Sequence, residues 1–381
     1  MKPLGIYIHI PFCIKKCAYC DFYSLRYTSY EREKSYINAL IAHIKKDSVL
    51  YKDYLVDTVF LGGGTPSILS TKSIKSLTEC LKNSFNLSDD LEFTLEANPG
   101  TLHKEKLLCY LENGINRLSI GLQSTNKCEL ERLGRIHSYE DFKISYELAR
   151  ECGFKNISVD VMYGLPEQNT DKFLKTLEDV AEINPEHISA YGLKIEDNTF
   201  FGAIKDKLIL PGDEEEEKMY LTLCHFLEER GWKQYEISNF AKEGYESRHN
   251  MKYWCKEEYI GFGPNAHSYF DGVRYYYKGD INSYIESANN GNVPRILEEE
   301  KAENVSLIDE MDEYVMLRLR LRKGVSDAEF ESRYGLSFID AYPLAIKFLK
   351  SGHMANENGS YYLTPEGLIV SNYIFVEILH F

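Results

Sequence analysis

Three cysteines stand close together near the start of the chain, in the segment PFCIKKCAYCDFYS (residues 11–24). Cys13, Cys17 and Cys20 have the spacing C-x3-C-x2-C, and Asp21 follows instead of another thiol. Cysteine thiolates are ligands of structural zinc and of iron–sulfur clusters, and a C-x-x-C pair can also carry out redox chemistry. The first question is therefore which of these sites is built from three thiols without a fourth.

An iron–sulfur cluster explains this spacing best. Structural zinc normally takes four protein ligands, and no further Cys or His follows at a finger-like spacing. A redox pair of Cys17 and Cys20 would leave Cys13 unexplained and lacks a thioredoxin-like context. Unrelated core thiols are a poor explanation for three cysteines within eight residues. Three thiolates on a [4Fe–4S] cluster leave one iron without a protein ligand, which is a place for a substrate or cofactor to bind.

The rest of the composition indicates a globular protein with reduced thiols. The other six cysteines are scattered, which is not the pattern of a disulfide framework in a chain of 381 residues: Cys80, Cys109, Cys128, Cys152, Cys224 and Cys255. The net charge of −15 argues against broad binding to a phosphate backbone. The sequence shows neither a signal peptide nor an apolar run of about 18 residues, so we expect a cytoplasmic protein that binds no nucleic acid.

Short β-rich runs alternate with longer amphipathic runs over the first part of the chain. Six such units in succession predict parallel strands joined by right-handed crossovers, either in a barrel or partial barrel or in a doubly wound sheet. The six predicted strands are GIYIHI (5–10), DTVFLGG (57–63), LEFTLEA (91–97), NRLSIGLQ (116–123), NISVDVMYG (156–164) and HISAYGL (187–193). Gly114 and Gly153 mark predicted helix ends.

Polar and glycine-rich residues follow the predicted strands at their carboxyl ends. They include the cysteine segment, the run GGGT (62–65) and the run EANP (96–99). In parallel α/β folds this end of the strands carries the active site. Because several such clusters must meet at one face, the pattern favours a barrel-like enzyme.

The regular alternation of predicted strands and helices ends in the second half of the chain. Residues 211–231 predict a helix with an acidic first turn, and WKQYEISNF (232–240) predicts one further strand. Residues 245–280 show no clear periodicity. From about Leu307 onward we expect helices followed by a hairpin and a helix, as in a winged-helix module. The predicted domains are 1–240 for the barrel core, 241–305 for a connecting region and 306–381 for a mostly helical domain.

The cysteine motif and the glycine run together resemble the radical SAM superfamily. An aromatic residue precedes the last cysteine in CIKKCAYC, and GGGTP follows the second long strand. The resemblance implies a partial (β/α)6 barrel in which the open iron of a [4Fe–4S] cluster is chelated by S-adenosylmethionine. Glycines suit such a site physically, since they allow close backbone approach and present free N–H donors.

The resemblance extends over nearly the whole chain to the oxygen-independent coproporphyrinogen III oxidase-like family, and to its haem-chaperone (HemW-type) branch. The motifs that carry it are YIHIPFCIKKCAYCDF, FLGGGTPS, TLEANPG, NRLSIGLQS, LGRIHS and SVDVMYGLPEQ. It implies cluster ligands at Cys13, Cys17 and Cys20. It implies S-adenosylmethionine contacts at Tyr7, Tyr19, Gly63, Gly64, Thr65, Glu96, Gln123, Arg135, Asp160 and Gly192. His9 is expected to face the same way as Tyr7, two residues before it.

Three features favour the haem-chaperone branch. The porphyrinogen-oxidising branch has a fourth cysteine two residues after the third, where this chain has Phe22, and it has a longer extension before the first strand. The run HNMKYW (249–254) resembles the H-N-x-x-Y-W signature of the chaperone branch. Imidazole ligates haem iron and aromatic faces pack on porphyrins, so we expect a haem contact at His249.

The resemblance implies a haem chaperone with haem, a [4Fe–4S] cluster and S-adenosylmethionine as its cofactors. The first alternative is oxidative decarboxylation of coproporphyrinogen III, and the second is an interaction module with a relict cluster site. Haem-accepting proteins such as respiratory enzymes and an electron donor for the cluster are the implied partners. A peripheral membrane contact and a homodimer are also compatible with the sequence.

Overall fold

The computed structural model describes residues 1–297 and 306–380. Twelve of its strands form one mixed sheet, three form a small sheet near the C-terminus, and two form a short ladder beside the cysteine segment. The strands are β1 (Lys2–Ile10), β2 (Phe12–Cys13), β3 (Leu25–Arg26), β4 (Tyr54–Gly63), β5 (Asn86–Ala97), β6 (Arg117–Gln123), β7 (Ile157–Tyr163), β8 (His187–Gly192), β9 (Lys233–Glu236), β10 (Asn239–Ala241), β11 (Tyr259–Phe262), β12 (His267–Phe270), β13 (Val273–Tyr276), β14 (Ile296–Leu297), β15 (Val325–Ser326), β16 (Met354–Glu357) and β17 (Ser360–Leu363).

Helices follow most of the long strands, as the alternating sequence pattern predicts. They are α1 (Tyr30–Asp47), α2 (Thr71–Ser84), α3 (Lys104–Glu112), α4 (Lys127–Arg132), α5 (Tyr139–Cys152), α6 (Thr170–Ile183), α7 (Phe200–Ala203), α8 (Asp213–Glu228), α9 (Arg248–Trp254), α10 (Ile281–Asn289), α11 (Leu307–Arg318), α12 (Asp327–Tyr334), α13 (Phe338–Ala341), α14 (Ala345–Ser351), α15 (Pro365–Ile369) and α16 (Ser371–Ile378). Short 3-10 turns occupy Ser48–Tyr51, Pro66–Ile68 and Lys205–Lys207.

The central part of the large sheet consists of six parallel strands. β1, β4, β5, β6, β7 and β8 lie side by side in the order in which they occur along the chain. A doubly wound sheet would reverse direction around its first strand, so this order indicates a barrel type. β1 pairs on its other edge with β11, and β8 pairs with β10. The barrel is therefore open, and the predicted partial (β/α)6 barrel is confirmed.

The strands form the barrel because their apolar side chains are buried. Ile6, Ile8 and Ile10 of β1 have no exposed area, and every residue of β6 is buried. α5 begins at a capping box of Ser138 and Asp141, and it ends at a left-handed Gly153 with φ 113°. Successive helices such as α1, α2 and α3 pack beside one another and cover the outer face.

One prediction for the middle of the chain is wrong. Residues 232–240 do not form one strand, because the chain reverses at Ile237 and Ser238 and gives the antiparallel pair β9 and β10. Residues 245–280, which lack a clear period, contain α9 and the strands β11, β12 and β13. These elements are only four to seven residues long, which is too short to show a hydrophobic period.

The C-terminal region is mostly helical and has the expected hairpin followed by a helix. α11 to α14 surround the sheet β15–β17–β16, and α15 and α16 end the described chain. The predicted domain boundary near residue 305 falls on residues outside the described ranges and stays a prediction. In the described parts of the chain, no helix combines the length and the apolar character that crossing a membrane requires.

Candidate functional site

A cavity of about 580 Å³ opens at the carboxyl ends of the parallel strands. Its wall includes side chains or backbone from β4, β5, β6, β7 and β8 and from the cysteine segment. Twelve of the fourteen residues predicted for the site line it: Cys13, Cys17, Tyr19, Cys20, Gly63, Gly64, Thr65, Glu96, Gln123, Arg135, Asp160 and Gly192. The sequence motifs thus converge on one place although they are far apart in the chain.

The three cysteines are free thiols at the mouth of this cavity, and each is partly exposed. The Sγ of Cys13 lies 3.5 Å from the Oγ1 of Thr65, and the guanidinium of Arg135 lies 3.5 Å from the Sγ of Cys17. Burial raises the pKa of Cys13, and it raises the pKa of Cys20 to about 11. The thiols of Cys13 and Cys20 are therefore protonated at neutral pH until a metal centre displaces their protons.

The glycine run that follows β4 lies against the cysteine segment. A side chain at Gly64 would place its Cβ 2.7 Å from the carbonyl oxygen of Phe12, which is backbone and cannot move aside. Gly63 has a positive φ of 107°, and its N–H donates a 3.0 Å hydrogen bond to Glu96. Glycine is required at Gly64 because the two backbone segments approach so closely, and at Gly63 because of its positive φ and the nearby ring of His9.

Two carboxylates, Glu96 on β5 and Asp160 on β7, face the cavity. Burial, and next the neighbouring Asp160, raise the pKa of Glu96 to about 8. Burial also raises the pKa of Asp160. Hydrogen bonds from three serines lower it, but the effect of burial is larger. One of these, Ser119, donates to the two carboxylate oxygens of Asp160 at 2.9 and 3.1 Å. This acidic pair suits a ligand that carries positive charge.

The remaining predicted residues of the wall frame these carboxylates. Gln123 ends β6 with a positive φ of 71°, at a register shift against β7 that follows Gly121. Strained backbone of this kind is found where a side chain must be aimed at a ligand. Arg135 is half-buried, and its Nη2 donates to Asn98 at 2.7 Å. Its Nε has no hydrogen-bond partner within the described structure.

Two predicted residues do not line the cavity. Tyr7 lies behind Phe60, with a ring separation of 6.3 Å, and its hydroxyl meets the Nδ1 of His9 at 3.1 Å, so these neighbours share a face as expected. His249 is only 1 % exposed. Its Nδ1 lies 2.8 Å from the hydroxyl of Thr58, and its Nε2 lies 2.8 Å from that of Tyr253.

Burial lowers the pKa of His249 to about 3, so the ring is neutral. Because both ring nitrogens of His249 are hydrogen-bonded inside the protein, the geometry gives no direct support to a haem contact there. That contact stays a prediction. The asparagine of the same motif, Asn250, does line the cavity, so the motif reaches the site through a different residue.

The sequence analysis missed several residues of the wall. Arg117, Ser119 and Asn250 face the cavity, and so do Asn98 and Tyr191. Arg117 and Ser119 alternate with buried apolar residues in NRLSIGLQ, a period of two that could have predicted their common face. Asn250 offered no such signal, because nothing local places α9 beneath the barrel opening.

The residues present fit a [4Fe–4S] cluster that is completed by S-adenosylmethionine. Among the described residues, no three metal-binding side chains lie close enough together to hold a single ion. Cubane ligands bind different irons and therefore stand farther apart than the ligands of one zinc ion. Three thiols, a glycine cradle and an acidic pair on one cavity supply the cluster ligands and a pocket for a charged cofactor.

Comparison with known proteins agrees with this reading of the site. Residues 7–180 match the radical SAM superfamily, and residues 305–370 match the HemN C-terminal domain. The protein called "Heme chaperone HemW" of Bacillus subtilis (strain 168) is 38 % identical over 373 residues, which is 97 % of each chain. Its Escherichia coli (strain K12) namesake is 33 % identical over 377 residues, 98 % of this chain and 97 % of that protein.

Among solved structures, the coproporphyrinogen III oxidase HemN of Escherichia coli, described as a radical SAM enzyme, has a TM-score of 0.83. It is 24 % identical and covers 98 % of this chain and 89 % of that chain, a likeness that shows the fold. The predicted resemblance is thereby confirmed over the full length of the chain. This protein belongs to the radical SAM superfamily and, within it, to the family of the proteins called heme chaperone HemW.

Proposed function

We propose that this protein is a haem chaperone, which binds haem and passes it to haem-accepting proteins such as respiratory enzymes. The observation that carries the proposal is the similarity to relatives named as haem chaperones over 97 % of both chains. Phe22 supports it, since the porphyrinogen-oxidising branch has a cysteine at that position. Phe22 is 67 % exposed and lies at the mouth of the cavity.

Within this function Cys13, Cys17 and Cys20 would hold the [4Fe–4S] cluster. Thr65 and Arg135 would stabilise the ligating sulfurs, because each lies within 3.5 Å of one of them. A reduced cluster can supply one electron to the sulfonium of bound S-adenosylmethionine. The chain's own contribution is to leave one iron position open and to place it at the cavity that Glu96 and Asp160 face.

The other predicted residues would hold S-adenosylmethionine. Gly63 and Gly64 would bring backbone next to the cofactor, and Glu96 and Asp160 would receive its positive charge. The remaining proposed contacts come from elements around the same opening: Tyr7, Tyr19, Thr65, Gln123, Arg135 and Gly192. Tyr7 would act indirectly, because its ring stacks on Phe60 and Phe60 lines the cavity.

The position of haem is the least constrained part of this proposal. Contact of haem iron with His249 would require helix α9 to move, because Thr58 and Tyr253 occupy both ring nitrogens. An electron donor for the cluster, a cytoplasmic location and the absence of nucleic-acid binding complete the proposal. The proposal also includes a homodimer and a peripheral membrane contact.

Two parallel incubations test the function. The anaerobically reconstituted protein is mixed with haem in one sample and with coproporphyrinogen III, S-adenosylmethionine and a reductant in the other. We expect haem to stay with the protein through gel filtration and to move to an added apo-haemoprotein, while coproporphyrinogen III is recovered unchanged. Formation of protoporphyrinogen IX would instead establish the decarboxylating enzyme. If the protein neither binds haem nor converts coproporphyrinogen III, the interaction module is the remaining alternative.

A further inference from the structure

Arg117 lies inside the barrel and has no role in the function proposed above. It begins β6, it is only 2 % exposed, and it lines the same cavity as Glu96 and Asp160. Its Nη1 donates one long hydrogen bond, of 3.5 Å, to the Oγ1 of Thr94. Its Nε is buried and has no hydrogen-bond partner in the part of the chain that the structure describes. A buried guanidinium so poorly satisfied is costly for folding alone.

The strand register places Arg117 directly beneath the acidic pair. Thr94 pairs with Arg117, and two residues farther along the same strands Glu96 pairs with Ser119. Ser119 in turn bonds Asp160 on the next strand. Because side chains alternate along a strand, those of residues 117 and 119 point to the same face, one layer apart. The cation therefore lies one layer below a row that joins Glu96, Ser119 and Asp160.

The groups around Arg117 leave its charge available to these carboxylates. His187 bonds Ser158 and Tyr235 at 2.8 Å each, and burial keeps its pKa well below the usual value, so it is neutral, as His249 is. Lys252 is engaged by Asp57 at 2.9 Å and by Glu257 at 3.0 Å. The titratable groups that face Arg117 or the acidic pair are Tyr7, Tyr19, Arg135, His187, Tyr191, Tyr235, His249 and Tyr253.

We infer that Arg117 is a positioning residue, the buried counter-cation that favours the ionised forms of Glu96 and Asp160, which receive a positively charged ligand. Two carboxylates that share a buried cavity repel each other and hold a proton to higher pH, and a cation close by shifts them back toward the ionised form. Arg117 acts through the carboxylates and does not itself contact the ligand. This inference rests on the proposed function, in which that ligand is S-adenosylmethionine.

The test measures S-adenosylmethionine binding by equilibrium dialysis on the reconstituted full chain, from about pH 6.5 to about pH 9.5. The variants are Arg117→Met, Arg117→Gln as a second uncharged form in case the first folds poorly, and Arg117→Lys, which keeps the charge. Circular dichroism and iron content check that each variant folds and carries the cluster. The wild-type affinity should rise with pH and level off near the pKa of Glu96, about 8.

In the two uncharged variants the pH at which affinity levels off should shift upward by about one unit or more. At pH 7 their affinity should fall about tenfold per unit of that shift, and it should return to the wild-type value at high pH. Arg117→Lys should stay close to wild type. An unshifted profile in the uncharged variants would overturn the inference, and so would a loss of affinity that is equal at every pH, which would indicate direct contact with the ligand.

An infrared titration separates this inference from the proposed function. The protonated carboxyl band of Glu96, assigned by its absence in Glu96→Gln, should persist to higher pH in Arg117→Met than in wild type, with no ligand present. If wild-type protein fails to bind S-adenosylmethionine but the band still shifts, the cofactor-binding part of the proposed function is wrong and the role of Arg117 stands. If the band does not shift, Arg117 does not control the ionisation of Glu96.

Discussion

At the scale of single residues, Cys17 differs from the other two thiols of its motif because a cation lies beside it. The guanidinium of Arg135 is 3.5 Å from its sulfur, whereas the sulfur of Cys13 lies 3.5 Å from the hydroxyl of Thr65. Donors of this kind stabilise a sulfur that ligates a metal centre, so the surroundings of Cys13 and Cys17 in a bound cluster would differ.

The cluster assignment predicts a loss of iron when one thiol is removed. Changing Cys17→Ser should reduce the iron content of the reconstituted protein to near zero, with loss of the cluster's visible absorbance, because two thiolates do not retain a cubane. Cys128→Ser is the matched control, since Cys128 is exposed on the barrel surface and should leave the iron content unchanged. Equal iron content in both variants would mean that the motif holds no cluster.

Glu96 predicts a dependence of stability on pH. Its ordinary pKa of 4.5 is raised to about 8 in the folded protein, first by burial and then by Asp160. The folded state therefore holds this proton more tightly than the unfolded chain, so stability falls as pH rises from about 4.5 to about 8 and is level above that. Glu96→Gln should remove this loss.

The measurement is urea denaturation of the ligand-free protein at pH 5 and at pH 8. Relative to wild type, Glu96→Gln should gain about 1–3 kcal/mol at pH 8 and little at pH 5, since water in the cavity screens part of the effect. The same variant should bind S-adenosylmethionine more weakly. A variant that is no more stable at pH 8 than wild type would show that Glu96 titrates normally.

At the scale of elements, the short helix α9 is anchored to three strands of the barrel. Glu92 of β5 accepts the N–H groups of Arg248 and His249, each at 3.0 Å, at the start of the helix. Lys252 reaches Asp57 of β4, and its side chain packs where Gly5 of β1 has no Cβ. A helix of seven residues is not stable alone, so these anchors hold α9 beneath the cavity.

The position of α9 predicts a structural role for His249. His249→Ala would leave the hydroxyls of Thr58 and Tyr253 without partners and open a cavity against Phe60, so it should cost about 2–4 kcal/mol of unfolding free energy. His225→Ala is the control, because His225 is exposed on α8 and should change stability by less than about 0.5 kcal/mol. Chemical denaturation is read together with haem binding in both variants. A stable His249→Ala that loses haem would instead make His249 a ligand.

These elements also mark how far the sequence predicts the structure. β1 and β4 to β8 are recognisable because each is a continuous apolar run flanked by glycine or polar residues, and the cysteine motif is local in sequence. α9 is held by partners about 160 to 250 residues away, such as Glu92 and Gly5, and no local pattern encodes those contacts. The pairing of β11 with β1 is hidden for the same reason.

The acidic pair shows the same limit within the site. Glu96 and Asp160 can be assigned from motifs, but the cation beneath them cannot. The importance of Arg117 depends on the register between β5 and β6 and on two histidines that are held neutral. Register is set by the packing of the whole sheet. A single sequence therefore predicts which residues belong to a site more readily than it predicts which charges lie next to one another in it.

At the scale of the whole molecule, the C-terminal region is joined to the barrel by polar and backbone contacts. Glu236 of β9 forms an isolated antiparallel bridge with Leu321, and the N–H of Arg322 donates to the carbonyl of Tyr235 at 3.0 Å. Arg320 lies over the ring of Trp254 at the end of α9, with 5.7 Å to its centroid. The two parts should therefore unfold together in one transition.

Glu313 of α11 offers a way to test this coupling. It forms ion pairs with Lys256, which follows α9, and with Arg274 of β13, and these two cations lower its pKa against the opposing effect of burial. A carboxylate with a lowered pKa contributes stability that is present at neutral pH and is lost as the pH falls below about 4.5. Glu313→Gln should therefore destabilise the protein at pH 7 by about 1–3 kcal/mol and have little effect near pH 3.

The matched control is Glu377→Gln on α16, whose ion pair with Lys347 lies on the surface and should contribute less than about 0.5 kcal/mol. Differential scanning calorimetry of wild type should give one unfolding peak. For Glu313→Gln we expect that peak to move to lower temperature or to split, because the C-terminal region loses its ionic link to the barrel. If the two variants melt alike at pH 7, Glu313 does not couple the two parts, and their joint unfolding depends on other contacts, such as the backbone bridge at Glu236 and the packing of α15 against α8.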